Sequence, residues 1–273
     1  MREGFVDRPV DLPCGQCITC RLAKAQAWAT RAVHEAQMHE RNCFITLTYD
    51  DEHLPEDGSL DVRHWQLFAK RLRKKVGPFR FLHCGEYGDN THRPHYHALL
   101  FGLDFHRDRK PWNYHGSSSQ LWISDTLEST WGQGFTSIGP LTEQSAAYVA
   151  RYTVKKATGP GGAERYRRID LTTGEEFYVR PDYATMSRRP GIGSSWLEKY
   201  HRDVYPSDQV VHNGRKLRPP EFYDRRLEAS DPGLLADLKE QRRAKAQTDT
   251  GNDRLRAVER NQLDRTNARG RKL

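Results

Sequence analysis

At 273 residues the chain is long enough for one good core with appendages. A mean hydropathy of -0.88 and a hydrophobic content of 36% predict a compact domain plus solvated segments rather than one uniform globule. The net charge of +8 favours a polyanionic partner. No apolar run approaches membrane-spanning length, and Met1-Arg2-Glu3-Gly4 lacks a signal-peptide core, so a soluble, intracellular protein with no membrane partner is expected.

Three of the five cysteines fall in Pro13-Cys14-Gly15-Gln16-Cys17-Ile18-Thr19-Cys20, and the others are Cys43 and Cys84. An odd number at this spacing does not read as a secreted disulfide framework. Cys14, Cys17 and Cys20 could give three thiolates to zinc, with a fourth ligand from a histidine or a remote cysteine. The alternative is a reduced thiol cluster ahead of a helix.

That helix is expected from Leu22 to about Glu40, Ala-rich and with Trp28, Ala29, Ala32, Val33 and Ala36 at helical spacing. Cys43 to Tyr49 alternates apolar and Thr residues, the pattern of a strand. Val62 to Val76 is amphipathic, with Val62, Trp65, Phe68, Ala69, Leu72 and Val76 as its buried stripe and Gly77-Pro78 as its stop. Its outer face carries Arg63, Lys70, Arg71, Arg73, Lys74 and Lys75, either a solvated face or a phosphate-contacting one. Strands are expected over Phe79–Cys84, His95–Leu103 and Gly134–Ile138, with an irregular segment from Asp104 to Gln120. Thr142 caps a helix running to about Ala157, closed by Gly159-Pro160-Gly161-Gly162. Tyr166–Asp170 and Glu176–Arg180 read as a hairpin, and Ser195–Val204 as a short helix. From Asp224 onward there is no aromatic residue and little to bury, so a solvated helix or a disordered tail is expected. The element order predicts an α+β fold, a central antiparallel sheet covered by helices on one side in the RRM or ferredoxin-like style.

Two constellations carry chemistry. His95 and His97 flank Tyr96 in a strand, so both imidazoles share one face while Tyr96 enters the opposite layer. With Glu86 one loop upstream, the set could hold a divalent metal. The second lies on the Thr142-capped helix, where Tyr148 and Tyr152 are one turn apart and Lys155 follows on roughly the same side. Such tyrosine pairs are most often core or stacking residues, yet near a metal a phenolate can attack a phosphodiester while lysine offsets developing charge.

Together these segments resemble the HUH endonucleases that initiate rolling-circle replication, and most nearly the replication initiators of gokushoviruses, small single-stranded DNA phages of the Microviridae. The resemblance rests on Phe44–Asp50 as a central strand, Gly85–Gly88 with Pro94–His97 as carboxylate plus histidine motif, and Tyr148–Tyr152 with Lys155 as the two-tyrosine motif. The Pro13–Cys17 run followed by Trp28 and His34-Glu35 is similar to the gokushovirus type. The middle residue of the histidine triplet is usually aliphatic in that family and is Tyr96 here. The resemblance implies metal ligands His95 and His97, with Glu86 as third ligand and Asp50 or a water as alternatives.

It further implies catalytic Tyr148, Tyr152 and Lys155, and Mg²⁺ or Mn²⁺ as cofactor. The expected activity is nicking of single-stranded DNA at the viral origin through a 5′-phosphotyrosyl intermediate, in the host cytoplasm. The freed 3′-OH would prime host polymerase, and with no Walker-type loop in the sequence, strand separation falls to a host helicase. Two alternatives stand beside it: a non-enzymatic RRM-like nucleic-acid-binding module, and a plasmid or transposon HUH enzyme. The expected organisation is a Cys-rich segment and helix over 1–41, a nuclease core over 42–158, an accessory hairpin and helix region over 159–223, and a charged tail over 224–273.

Overall fold

A computed structural model describes residues 13–88, 90–112, 120–153, 164–170, 173–212, 214–246 and 251–268. The first half of the chain forms α1 (Ile18–Ala36), β1 (Asn42–Thr48), α2 (Val62–Val76), β2 (Arg80–Tyr87), β3 (Pro94–Phe101), β4 (Arg109–Trp112), β5 (Leu121–Ser124) and α3 (Asp125–Trp131). The second half forms β6 (Thr136–Pro140), α4 (Glu143–Tyr152), β7 (Arg167–Ile169), β8 (Glu176–Tyr178), β9 (Tyr183–Met186) and α5 (Ser194–Val204). β10 (Val210–His212), β11 (Arg215–Leu217), α6 (Glu221–Ser230), α7 (Pro232–Ala244) and α8 (Asn252–Ala268) complete it.

Seven strands form one antiparallel sheet in the spatial order β4-β5-β6-β1-β3-β2-β9, so the expected α+β fold stands with β1 at its centre. Helices cover both faces of this sheet rather than one. On one face Ile45, Leu47, Ala98 and Leu100 pack against Trp65, Phe68 and Leu72 of α2 and Trp131 of α3. On the other, Leu82, Leu99 and Phe101 meet Ala32 of α1 and Ala146 and Val149 of α4. Strands buried on both faces lose the simple in–out alternation that marks a one-sided sheet, and β2 and β3 are indeed buried at nearly every position. Each fully buried Leu or Phe contributes roughly 1.5–3 kcal/mol, so both layers hold the sheet firmly.

Local chemistry sets the helix ends. The Asp61 carboxylate accepts from Arg63 N–H at the start of α2, and Gly77, with φ of 89°, ends it. Thr142 and Ser145 cap α4 reciprocally, each side chain bonded to the other's backbone N–H. α1 begins a turn earlier than expected, with Cys17 at its N-cap.

Four features were not anticipated: the β4–β5 pair, α3, the edge strand β9 and the β10–β11 hairpin. β9 pairs with β2, so a piece of the accessory region completes the main sheet, while β7 and β8 form the expected hairpin. The expectation of an unpacked tail is corrected in its first part. α6 and α7 fold onto α5 through Leu197, Tyr223, Leu227, Leu235 and Leu238. The Arg242 guanidinium joins them by binding the carboxylates of both Asp208 and Asp224. A few well-spaced apolar residues and one shared cation suffice where composition alone suggested nothing to bury.

Candidate active site

β1, β2 and β3 bring their polar side chains to the face covered by α1 and α4. The register pairs Thr46 with His97 and Thr48 with His95 on one side, and Cys84 with His97 and Glu86 with His95 on the other. Paired residues of antiparallel strands point the same way, so Glu86 joins the two histidines on a single patch.

The ligand atoms of Glu86, His95 and His97 lie within 4.8 Å of one another. Oε1 of Glu86 is 3.1 Å from Nε2 of His95 and 2.9 Å from Nε2 of His97. The other ring nitrogens are held from behind. His95 Nδ1–H donates to the Arg93 carbonyl at 3.1 Å, and His97 Nδ1 meets the Thr46 hydroxyl at 3.0 Å. Protons kept at Nδ1 leave both Nε2 lone pairs aimed at a carboxylate oxygen, an arrangement that favours a cation among them. Two imidazoles and a carboxylate thus fit a divalent ion. Burial pushes His97 below the ordinary imidazole range, which keeps it neutral and ligand-competent. Burial works against ionisation of Glu86, but hydrogen bonds from His95 and His97 outweigh it and hold the carboxyl well below the usual range.

Asp50, the alternative third ligand, is turned away: its Oδ1 accepts from His53 Nδ1–H at 2.7 Å. Gly85 sets the position of Glu86. A Cβ there would lie 2.8 Å from the Tyr183 ring and 3.0 Å from Leu60. Tyr96, the departure from the aliphatic triplet, is fully buried on the opposite face, where its hydroxyl donates to the Asp61 carbonyl and accepts from Asp61 N–H. A tyrosine fits that slot because its phenol finds partners.

α4 lays both tyrosines over the patch. The Tyr148 hydroxyl donates to Glu86 Oε1 at 2.9 Å and lies 3.4 Å from His97 Nε2. Its ring stands edge-on to His97 at 5.0 Å, and Tyr152 packs against it with centroids 5.1 Å apart. Burial first, and then the Glu86 charge, push both phenols above their ordinary range. Lys155 lies outside the described residues. The sequence reading did not single out Thr46 or the Arg93 carbonyl, which fix the imidazoles, or Phe44, stacked on His97 at 5.4 Å. Only the strand register reveals them.

The basic face of α2 belongs to the opposite side of the sheet, and part of it is structural. Arg71 donates to the carbonyls of Thr130 and Trp131, and Arg73 lies over the Phe79 ring.

Cys14, Cys17 and Cys20 form a second cluster, also within 4.8 Å. Cys14 and Cys20 sulfurs are 4.0 Å apart, near the separation of about 3.8 Å that two 2.3 Å Zn–S bonds give at a tetrahedral ion. The backbone N–H groups of Cys17 and then Gln16 pull the Cys14 thiol down to about 7. The remote cysteines do not join it: Cys43 is buried on the α2 side of the sheet and Cys84 on the α1–α4 side. Among the described residues, no histidine or carboxylate joins the three sulfurs.

The family model for replication-associated protein ORF2 and its relatives matches residues 42–157, from the central strand to the tyrosine helix. The chain is 38% identical over 223 residues to replication-associated protein VP4 of Bdellovibrio phage phiMH2K, covering 77% of this chain and 65% of that protein. It is 33% identical over 248 residues to replication-associated protein ORF2 of Spiroplasma virus 4, covering 85% and 72%. With replication-associated protein ORF4 of Chlamydia phage 1 it shares 35% identity over 220 residues, covering 78% and 52%. The chain therefore spans about two thirds of the first relative and about half of the third. No solved structure matches it. On these relationships the chain belongs to the ORF2 family of phage replication-associated proteins, of the gokushovirus type.

Proposed function

We propose that the protein starts phage DNA replication by nicking a single strand through tyrosine attack on one phosphodiester. The observation that carries this reading is the Tyr148 hydroxyl, 2.9 Å from the carboxylate oxygen on which the histidine Nε2 atoms converge. A divalent cation held by Glu86, His95 and His97 supplies Lewis-acid polarisation of the scissile phosphate; imidazole ligands suit Mn²⁺ and abundance favours Mg²⁺.

Tyr148 supplies the nucleophile. Its phenolic oxygen bonds to phosphorus as the bond from phosphorus to O3′ breaks. The phenol gives up its proton, one proton is taken up at the departing O3′, and a 5′-phosphotyrosyl ester results. Burial and the Glu86 charge keep the phenol protonated at rest, so activation follows once that charge is compensated. Tyr152, one turn on, is placed to take a second strand while the first stays attached. The ester conserves the phosphodiester bond energy, so rejoining needs no ATP. The free 3′-OH serves host polymerase, and a host helicase separates the strands.

Cys14, Cys17 and Cys20 are assigned to a zinc ion that ties the segment before α1 to the helix start. The test is incubation with labelled single-stranded phage DNA, with and without Mg²⁺ or Mn²⁺, read on a denaturing gel. Metal-dependent cleavage with a protein-linked product is expected; binding without cleavage in either metal would refute the reading.

A further inference from the structure

A cleft of about 460 Å³ opens between α1, α4 and α8, on the side of the sheet that carries Tyr148. That volume lies within the ~300–1,000 Å³ of small-ligand sites, room for a nucleotide but not for a base pair with two backbones. Ala25 from α1 and Ala147 from α4 put no atom beyond Cβ into it, and Tyr148 forms part of its wall. Arg151 of α4 and Arg265 of α8 also line it, as does the Gln262 amide, and no carboxylate does. The Arg151 guanidinium sits 5.4 Å from the centre of the Tyr148 ring. Neither arginine forms an ion pair with a described residue, whereas Arg80, Arg167 and Arg242 each bind a carboxylate.

α8 is otherwise a poor candidate for packing. Its apolar residues Leu255, Val258 and Leu263 are exposed, and Thr266 is its one buried residue. Its contact with α1 encloses the cleft without adding to the core. The chemistry of the lining is specific: two guanidiniums without ion pairs suit phosphate, an amide suits a base edge, and flat methyl groups suit a base face.

We propose that this cleft seats the nucleotide beside the scissile phosphate of a single-stranded DNA, with phosphate against Arg151 and Arg265 and α8 holding the strand in place. The role rests on Tyr148 as the nucleophile for its meaning, but strand binding in the cleft can be measured without any cleavage.

The experiment is fluorescence anisotropy of a short single-stranded DNA with the full chain in EDTA. Arg265→Glu and Ala147→Leu are compared with Arg243→Glu, which makes the same charge change as Arg265→Glu at an exposed site on α7. Arg265→Glu should weaken binding by about tenfold beyond Arg243→Glu and lower the salt dependence. Ala147→Leu should weaken it about equally at low and high salt, because it fills space and removes no charge. Circular dichroism and Mn²⁺ binding confirm that each variant is folded. If Arg265→Glu binds as tightly as Arg243→Glu and Ala147→Leu as tightly as wild type, the cleft is not the strand's seat. A wild-type protein that fails to cleave in Mn²⁺ would remove the nuclease reading and leave this comparison to decide the cleft.

Discussion

The Tyr148 hydroxyl donates to Oε1 of Glu86, joining the one carboxylate of the histidine patch to the helix that carries both tyrosines. The bond links β2 to α4 across 62 residues of chain. It places one phenol, and not its neighbour Tyr152, within 3.4 Å of a histidine Nε2.

That asymmetry predicts unequal tyrosines. Tyr148→Phe should slow the first nick by at least about 100-fold, as loss of a nucleophile does, with DNA binding unchanged. Tyr152→Phe should slow it by less than about tenfold and block mainly the second transfer. Single-turnover cleavage of a labelled strand separates the two, and equal losses would contradict the assignment of Tyr148 to the first step.

Ion binding at the histidine patch should stabilise the fold by mass action. At a concentration about 100 times its dissociation constant, Mn²⁺ should add roughly 2.7 kcal/mol, visible as a rise in melting temperature. Glu86→Gln should abolish that rise while leaving the apoprotein folded, since the amide keeps the shape of the carboxylate. A full Mn²⁺ response in Glu86→Gln would place the ion elsewhere.

His34 makes a prediction about pH. It is buried, stacked on Trp196 at 3.5 Å and hydrogen-bonded to the Tyr223 hydroxyl at 2.8 Å. Burial, with a smaller contribution from His212, lowers its pKa to about 4. The unfolded chain, with an imidazole near the ordinary value of about 6.5, therefore takes up the proton first. Stability from a neutral His34 is full above about 6.5 and is lost as pH falls toward 4, on the order of 3 kcal/mol in total. Glu86 acts in the same direction at lower pH, below the ordinary carboxylate range. Urea unfolding at about pH 7 and about pH 5 should show the loss, and His34→Gln should flatten it. An unchanged pH slope in that variant would refute the account.

The cysteine cluster predicts one zinc per chain, released on acidification. With the Cys14 thiol near 7, proton competition should weaken the site as pH falls below neutrality. Elemental analysis should find zinc in the wild type and none in Cys17→Ala. Zinc retained in that variant would point to a different site.

Much of the site was legible because it is local. His95 and His97 sit two apart in a strand and Tyr148 and Tyr152 four apart in a helix, spacings that fix a shared face without knowledge of the fold. Glu86 was harder, because its place depends on β2 running on to Tyr87 and pairing with β3 in one register. Thr46 and Phe44 were out of reach for the same reason: each meets His97 only through the β1–β3 pairing. Helices on both faces were also hidden, since α1 and α4 are far apart in sequence and meet only over the sheet. The short β4, β5 and β9 carry too few residues for periodicity to register. The packing of α6 and α7 depends on Arg242 meeting Asp208 and Asp224, a contact no local pattern announces.

The central claim is that Tyr148 becomes covalently joined to DNA at an ion held by Glu86, His95 and His97. Mass spectrometry of peptides after incubation with single-stranded origin DNA and Mn²⁺ tests it most directly. The account predicts a nucleotide adduct on Tyr148, absent in EDTA, absent in His97→Ala and absent when Tyr148 and Tyr152 are both replaced by phenylalanine. An adduct that survives in that double variant, or cleavage that leaves no adduct at all, would contradict it.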